Sequence, residues 1–167
     1  MRQSDLRKLL QNPRDTDKRL KYFLKKRLLK RQALSEPEIR GHISKAENNL
    51  DFLSTLDKRF NDWILVGCYY ALYHSALALL QSIGFSSKNH DAALCVLIRH
   101  FYNKGISEEE IRAINSLEAD EILFYHTTRM ERENASYSSK TLFDDDKTEN
   151  TKKDTIMFVN KVKELVH

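Results

Sequence analysis

The feature of this sequence that most constrains its fold is a stretch over residues 61–83 that is apolar on nearly every side. A surface helix needs a polar face, so a helix that is apolar all round belongs at the centre of a bundle. Small residues recur along this stretch at Gly67, Ala71, Ser75 and Ala78. Because residues three or four apart share a helix face, we expect this small-residue stripe to let a neighbouring helix approach closely.

The rest of the sequence is also typical of helices joined by short connections. It has four glycines and two prolines in 167 residues, and 31% of its residues are charged. Neither strand-like alternation nor an internal repeat is seen. We predict an all-α fold, an antiparallel up-and-down bundle of four to five main helices. Residues 1–34 are predicted to be a basic helical extension, and residues 35–167 the bundle domain.

Turn residues predict two helices within the extension. Asn12-Pro13 separates a short first helix from a second helix, because proline restricts the residue before it. Asp15 or Thr16 is expected to cap the second helix, which is predicted to run to Gln32. Its apolar positions follow helical spacing, so one face is expected to be buried while the others carry lysine and arginine.

Capping signals also mark the helices of the bundle domain. Ser35 with Glu38 and Ser107 with Glu110 predict capping boxes, in which each side chain bonds the other residue's backbone N–H. Gly84 is expected to end the central helix in the left-handed conformation. The predicted helices of this domain run from 35 past 53, over 61–83, from a cap at Asn89 to Gly105, over 107–136 and over 153–166. Between them we expect a turn at 59–60 and loops at 86–89 and 138–150.

The positive charge is concentrated near the N-terminus. Residues 1–47 hold 14 Lys or Arg and 6 Asp or Glu, a net charge of +8, whereas the remainder holds 14 basic and 18 acidic groups, a net charge of −4. A basic arm on a mildly acidic body favours an anionic partner, nucleic acid first. Equally, the arm can be a solvated helix face that docks on the protein's own acidic body.

Several kinds of site and location are not expected. No window approaches 18 consecutive apolar residues, and the N-terminus lacks an apolar signal region, so we predict a cytoplasmic protein without a membrane span. The four scattered glycines exclude a P-loop and a dinucleotide fingerprint. The six histidines lack metal-ligand spacing, so no metal or other cofactor is predicted. Cys68 and Cys95 lie in apolar segments and are expected to be buried free thiols.

Two neighbouring segments carry candidate ligand-binding residues. In the central helix, Tyr70, Tyr73 and His74 can stack on a base or hold a phosphate. They can equally pack between helices and bond locally. At the start of the next helix, Lys88 and the free backbone N–H groups can bind an anion, although a simple cap explains Asn89 as well.

A third candidate segment lies further along the chain. His126, Arg129, Glu133 and Tyr137 recur at spacings of three and four, so they share one helix face. One interpretation makes this face a pocket wall opposite His74. The other is an Arg129–Glu133 ion pair worth about 0.3–0.5 kcal/mol.

Together with two further stretches, these segments form a set of motifs. In chain order the motifs are IRGHISKA at 39–46, Asp62-Trp63, YYALYH at 69–74, SKNH at 87–90, and Arg132-Glu133 with Ala135 and Tyr137. The set resembles the HEPN superfamily, in particular a prokaryotic, often archaeal, branch, over about residues 36–140. The resemblance implies an antiparallel helical bundle that commonly dimerises. It also implies action on RNA within toxin–antitoxin or defence systems, beside a nucleotidyltransferase-type antitoxin partner.

The sequence departs from the family at its catalytic motif. Active HEPN proteins have an Arg followed four to six residues later by a His, and none of the twelve arginines here has one; Arg99 is followed directly by His100. We therefore expect a protein that binds RNA or a nucleotide and lacks the usual ribonuclease motif. One alternative is a metal-independent ribonuclease with a variant site, in which His74 and His90 are the acid and base. Another is a helical protein–protein interaction or dimerisation module.

The predicted site therefore has two parts besides these histidines. The ligand- and phosphate-binding residues are predicted to be Tyr70, Tyr73, Lys88, Asn89, Arg129, Arg132, Glu133 and Tyr137. The arm that contacts nucleic acid is predicted to be Lys18, Arg19, Lys21, Lys25, Lys26, Lys30 and Arg31. The expected partners are RNA or a nucleotide, the antitoxin and a second copy of the chain.

Overall fold

The computed structural model describes residues 1–115 and 145–166, and this part of the chain is helical apart from one two-stranded sheet. The prediction of an all-α bundle is confirmed. In chain order the elements are α1 Gln3–Gln11, α2 Pro13–Lys25, β1 Leu29–Arg31, α3 Glu36–Thr55, a 3-10 turn Lys58–Phe60, α4 Asn61–Ser82, β2 Phe85–Ser87, α5 His90–His100, α6 with its described part at 108–115, and α7 Asp145–Leu165.

Helix α4 is central, as its composition predicts, and it contacts α3, α5 and α7. Its small-residue stripe is where the neighbours come closest. Ala71 forms a buried cluster with Ala46 of α3 and Val159 of α7. A Cβ atom added at Gly67 would lie only 2.6 Å from Leu53 Cδ2 of α3. The absence of larger side chains at these positions therefore sets the spacing of the three helices.

The N-terminal segment packs against the body of the bundle. Leu6 of α1 is fully buried, and Leu20 and Phe23 of α2 are at most 8% exposed. All three belong to the same hydrophobic core as α4 and α5, and α2 lies directly against α5. Burying such side chains stabilises the fold by about 1.5–3 kcal/mol each.

A short antiparallel sheet replaces two predicted features. The helix expected to reach Gln32 ends at Lys25, because Arg27 adopts a left-handed backbone with φ of 58°. The chain then forms β1, which pairs with β2 in the register Leu29 with Ser87. The prediction of a loop at 86–89 is therefore wrong in its first half. Because Leu29 is buried, its backbone groups need partners, and β2 supplies them.

The start of α2 differs from the prediction in its cap. The chain does break at Asn12-Pro13, but Asn12 itself caps α2, and its side-chain oxygen accepts from the backbone N–H of Arg14 at 3.1 Å. Thr16 is instead buried inside the helix, and its hydroxyl donates to the Leu9 carbonyl at 2.9 Å. Proline at the first helical position makes Asn12 the natural cap.

Only one of the two predicted capping boxes forms. Ser107 and Glu110 bond reciprocally, with distances of 2.7 and 3.2 Å between each backbone nitrogen and the other side chain. Ser35 occupies the N-cap position of α3, but its side chain makes no cap bond. The Glu38 carboxylate instead accepts a hydrogen bond from Gln81 of α4.

Four other boundaries can be compared with their predictions. Asn89 caps α5 as expected, accepting from the Ala92 backbone N–H at 2.9 Å, and Gly84 follows α4 with φ of 74°. Helix α5 ends at His100, before Gly105. Residues 145–152 already belong to α7, although the sequence predicts a helix start at 153, and Asn61 donates to Asp145 at 2.6 Å. The rest of the predicted loop, and the predicted helix beyond residue 115, lie outside the described residues.

Two further properties of the core bear on the predictions. Cys68 and Cys95 are both free and buried, as expected. In the described part of the chain, Trp63–Ser82 is a helix long and apolar enough to cross a membrane by length and composition, and 72% of its most apolar window is buried inside the structure. Buried core helices of soluble proteins have the same properties.

Candidate functional site

A cleft of about 540 Å³ lies beside the polar edge of α4, and we call it the basic cleft. Its walls come from four parts of the fold: the segment around β1, the first half of α3, the C-terminal half of α4, and the connection from β2 to α5. Its volume falls in the range typical of small-molecule sites. The lining residues are Arg27, Leu28, Lys30, Gln32, Glu38, His42, Tyr73, Leu77, Gln81, Ser86, Ser87, Lys88 and Asn89.

Two histidines from different helices form a pair beside this cleft, and His42 is the member that lines it. The Nδ1 atoms of His42 on α3 and His74 on α4 lie 3.1 Å apart, which is a hydrogen-bond distance. Burial lowers the pKa of both imidazoles, and the Lys45 charge lowers both further. For His74, where its partner histidine is the second-largest cause, the pKa falls to about 4. Both rings are therefore neutral at pH 7, and one Nδ1–H donates to the other Nδ1.

Because the pair is neutral and joined through Nδ1, its two rings are different tautomers. The ring that donates through Nδ1–H carries a bare Nε2, whereas the ring that accepts at Nδ1 carries its hydrogen on Nε2. The pair thus offers one proton acceptor and one proton donor at its outer nitrogens. Those are the two roles that general acid–base chemistry requires.

An aromatic stack adjoins the pair. The rings of Tyr73 and His90 lie nearly parallel with centroids 4.4 Å apart, and the Tyr69 hydroxyl lies 2.8 Å from His90 Nε2. His90 is therefore built into a stack with α4 and does not contact His74 in the way His42 does. Tyr73 is half-buried and lines the cleft, so a flat ligand bound there could extend the stack that Tyr73 forms with His90.

An amide and carboxylate network forms another wall. Gln81, which is 5% exposed, donates from Nε2 to Glu38 Oε2 at 2.8 Å. Gln32, in the segment after β1, donates to the same carboxylate oxygen at 3.2 Å and also to Gln81 Oε1. The network joins three elements, and all three side chains line the cleft.

Three exposed cations line the cleft. Arg27, Lys30 and Lys88 come from the end of α2, from β1 and from the turn after β2, and all three are exposed. Their convergence depends on the β1–β2 pairing, since Lys30 lies opposite Ser86 in the register. Three cations from separate elements can neutralise a phosphate without strong repulsion between them, because each is exposed to solvent.

The remaining residues of the predicted arm lie away from the cleft. Lys18 lies 3.6 Å from Asp15, and Arg19 lies 3.9 Å from Asp91. Arg31 sits with its guanidinium 5.4 Å from the Phe85 ring centroid. The exposed lysines on α2 and just after it are Lys18, Lys21, Lys25 and Lys26.

The structure brings together some of the predicted ligand-binding residues. Tyr73, Lys88 and Asn89 line the cleft, whereas Tyr70 is 41% exposed, stacks edge-on against Tyr69 and does not line it. The remaining predicted residues, Arg129, Arg132, Glu133 and Tyr137, lie outside the described part of the chain.

Sequence reasoning missed the other half of the site. His42, Glu38, Gln32, Gln81 and Arg27 all line the cleft. A signal was present for three of them. Glu38 and His42 are four residues apart on one face of α3, and Gln81 is the one amide side chain in the apolar C-terminal half of α4. Nothing in the sequence marks Gln32 or Arg27, because their positions depend on the sheet.

The described residues also contain a smaller cavity of about 200 Å³ between α4, α6 and α7. Its lining is mainly apolar, with Leu65, Leu72 and Phe158 among its residues, and it lacks the histidines and tyrosines of the basic cleft. No group of three or more potential metal ligands occurs among the residues that the structure describes. No protein-family model matches the chain, and a search of curated proteins finds no similar protein.

Proposed function

We propose that this chain is a HEPN-type protein that binds RNA or a nucleotide in the basic cleft. The observation that carries the proposal is the convergence of Arg27, Lys30 and Lys88 around the half-buried Tyr73 ring. Cations that meet phosphates beside an aromatic ring that stacks on a base are the common elements of single-strand recognition. The all-helical bundle is the fold that the motif resemblance implies.

The biological setting belongs to the same proposal. A HEPN-type RNA binder is expected to act in the cytoplasm, within a toxin–antitoxin or defence-type system. A nucleotidyltransferase-type antitoxin and a second copy of the chain are the partners expected. These assignments rest on the resemblance of the motifs, and co-purification from the native cell tests them.

Fluorescence anisotropy with a labelled, short single-stranded RNA tests the binding. We expect affinity to fall steeply with salt, and Lys30→Glu combined with Lys88→Glu to weaken binding at least about tenfold. The double variant should also flatten the logarithmic salt slope by roughly 0.7 for each phosphate that it no longer neutralises.

Two control variants locate the effect. Lys153→Glu places one such charge reversal on α7, where the lysine is exposed and does not line the cleft, and should leave affinity nearly unchanged. Lys21→Glu with Lys25→Glu tests the outer face of α2. If that pair abolishes binding while the cleft variant retains it, the site is on the arm and the proposal is wrong.

A second function, metal-independent RNA cleavage, is favoured by the His42–His74 pair. In that reaction the bare Nε2 takes the proton of a ribose 2′-OH, and the 2′ oxygen forms a bond to the adjacent phosphorus. The bond from phosphorus to the 5′ oxygen breaks, and this leaving oxygen takes a proton from the other Nε2. A 2′,3′-cyclic phosphate results. The Nδ1–H···Nδ1 bond provides a path by which the pair can restore its two tautomers.

Incubation of the RNA with purified protein in excess EDTA tests the cleavage. Activity should disappear in His42→Ala and in His74→Ala and persist in His100→Ala, which changes an exposed histidine outside the cleft. Cleavage that survives both substitutions in folded protein would exclude the pair. Complete lack of cleavage by the wild-type chain would leave the binding function alone.

A further inference from the structure

We infer that the basic cleft, if it binds RNA as proposed above, selects guanine at one nucleotide position. The inference comes from counting the hydrogen-bonding groups that the network of Gln32, Glu38 and Gln81 uses internally and those that it leaves for a ligand. The counting is possible because each amide and carboxylate has a fixed number of donors and acceptors.

The internal bonds consume most of the donors. Gln32 Nε2 makes two bonds, one to Gln81 Oε1 and one to Glu38 Oε2, so both of its hydrogens are used. Gln81 Nε2 makes one bond, to Glu38 Oε2, so one of its two hydrogens is left. The network therefore has a single N–H to offer a ligand.

Two acceptor atoms remain on the same wall. Within the described part of the chain, Glu38 Oε1 and Gln32 Oε1 have no hydrogen-bond partner. The bonds to Glu38 Oε2 hold the carboxylate in place, and Gln81 is anchored by its burial. Because all three side chains line the cleft, two acceptors and one donor remain on this wall for a ligand.

Among the four RNA bases, one has the complementary edge. Guanine presents two N–H donors, N1–H and the 2-amino group, and one acceptor, O6. Adenine presents one donor and one acceptor, while cytosine and uracil each present one donor and two acceptors. A base with too few donors would cover an acceptor of the wall and exclude water from it without bonding to it, and such a mismatch costs affinity.

The other groups of the cleft suit the rest of a guanine nucleotide. Tyr73 provides a ring on which the purine can stack, and Leu77 extends the apolar surface beneath it. The exposed cations Arg27, Lys30 and Lys88 also line the cleft and can contact the phosphates. The polar wall, the aromatic surface and the cations of the cleft thus suit the edge of the base, the face of the base and the phosphates.

Uridine-rich RNA strands that differ at one central nucleotide test this selection. Guanosine, inosine, adenosine or cytidine is placed there, and affinity is measured by fluorescence anisotropy. We expect the guanosine strand to bind about tenfold more tightly than the adenosine or cytidine strand. Inosine, which lacks the 2-amino donor and so presents one donor and one acceptor, should bind more weakly than guanosine.

Substitution of Glu38 tests the residue that makes the selection. Glu38→Gln keeps the shape of the side chain but replaces one acceptor oxygen by a donor, so the preference for guanosine should shrink about tenfold while adenosine binding stays nearly constant. Glu36→Gln is the matched control, since Glu36 pairs with Arg40 and does not line the cleft.

The outcomes separate the two proposals. Equal affinity for all four strands, or a guanosine preference that survives Glu38→Gln, overturns the selection of guanine and leaves RNA binding in place. Failure of every strand to bind overturns RNA binding itself, and the selection with it.

Discussion

At the scale of single residues, the pairing of His42 with His74 has the clearest consequence in solution. The pKa of His74 is lowered from 6.5 to about 4, first by burial and then by the neighbouring His42 and Lys45. Between these two pH values the unfolded chain binds a proton at this position that the folded chain does not bind. Stability must therefore depend on pH in this interval.

The sign of that dependence is fixed. Because the folded pKa lies below the unfolded one, the contribution of His74 to the free energy of unfolding rises with pH from about 4 to 6.5 and is constant above. Chemical denaturation at several pH values should show a shallower rise for His74→Gln than for the wild type. Equal slopes of stability against pH for the two proteins, or a His74 imidazole that titrates near 6.5 by NMR, would contradict the pairing.

Two glycines should respond oppositely to the same substitution. A Cβ at Gly67 would lie 2.6 Å from Leu53 Cδ2, a fully buried atom, so Gly67→Ala should lower the free energy of unfolding by about 1–3 kcal/mol. Gly41 has no atom within 4 Å of its Cβ position, so Gly41→Ala should stabilise α3 by about 0.5–1 kcal/mol. Urea denaturation measures both, and stabilisation by Gly67→Ala would show that α3 and α4 are further apart.

Residues could be predicted as part of the site where local sequence gives the signal. Asn89 and Lys88 stand at the start of a capped helix, and Tyr73 with His74 interrupts an apolar one, so each can be identified without the fold. His42 needs the packing of α3 against α4 to acquire its meaning, because its partner is 32 residues away. Pairings of this length follow from tertiary structure alone.

At the scale of elements, the two Ser-x-x-Glu sequences should differ in their effect on stability. Ser107 bonds the Glu110 backbone N–H, so Ser107→Ala should cost about 0.5–2 kcal/mol. Ser35 makes no cap bond, so Ser35→Ala should change the free energy of unfolding by less than about 0.5 kcal/mol. Thermal denaturation compares the two, and equal destabilisation would mean that both boxes form.

The elements show why part of the fold followed from the sequence and part did not. Helix α4 is recognisable from its composition, since a helix apolar all round has few alternatives to a central position. The sheet is different. Strands β1 and β2 have three residues each and are separated by the whole of α3 and α4, so no local alternation indicates them. The lysine-rich sequence before β1 favours a longer helix.

At the scale of the whole molecule, the N-terminal segment and the body share one core, and this can be measured. Phe23 of α2 is 5% exposed and belongs to the core that includes α4 and α5, so Phe23→Ala should lower the free energy of unfolding by about 3–5 kcal/mol. Leu34→Ala, at a side chain that is 67% exposed, should stay within about 0.5 kcal/mol. A small effect at Phe23 would mean that α2 does not pack on the body in solution.

The whole molecule also determines how the positive charge is distributed over the surface. The concentration of basic residues before position 47 is evident from the sequence, but its division between surfaces is not. Lys30 reaches the cleft through β1, whereas Lys21 and Lys25 remain on the exposed face of α2. Net charge predicts an anionic partner. Only the position of each cation shows which of the cations could contact the same ligand as Tyr73.

Photochemical crosslinking tests most directly whether the basic cleft is the binding site. The chain is irradiated with a short single-stranded RNA that contains 4-thiouridine, and the adducts are located by mass spectrometry. Binding in the cleft predicts adducts at Tyr73, His42 or the Ser86–Asn89 segment, all of which line it. Adducts confined to the outer face of α2 or to α7, with none at the cleft, would contradict the proposed site.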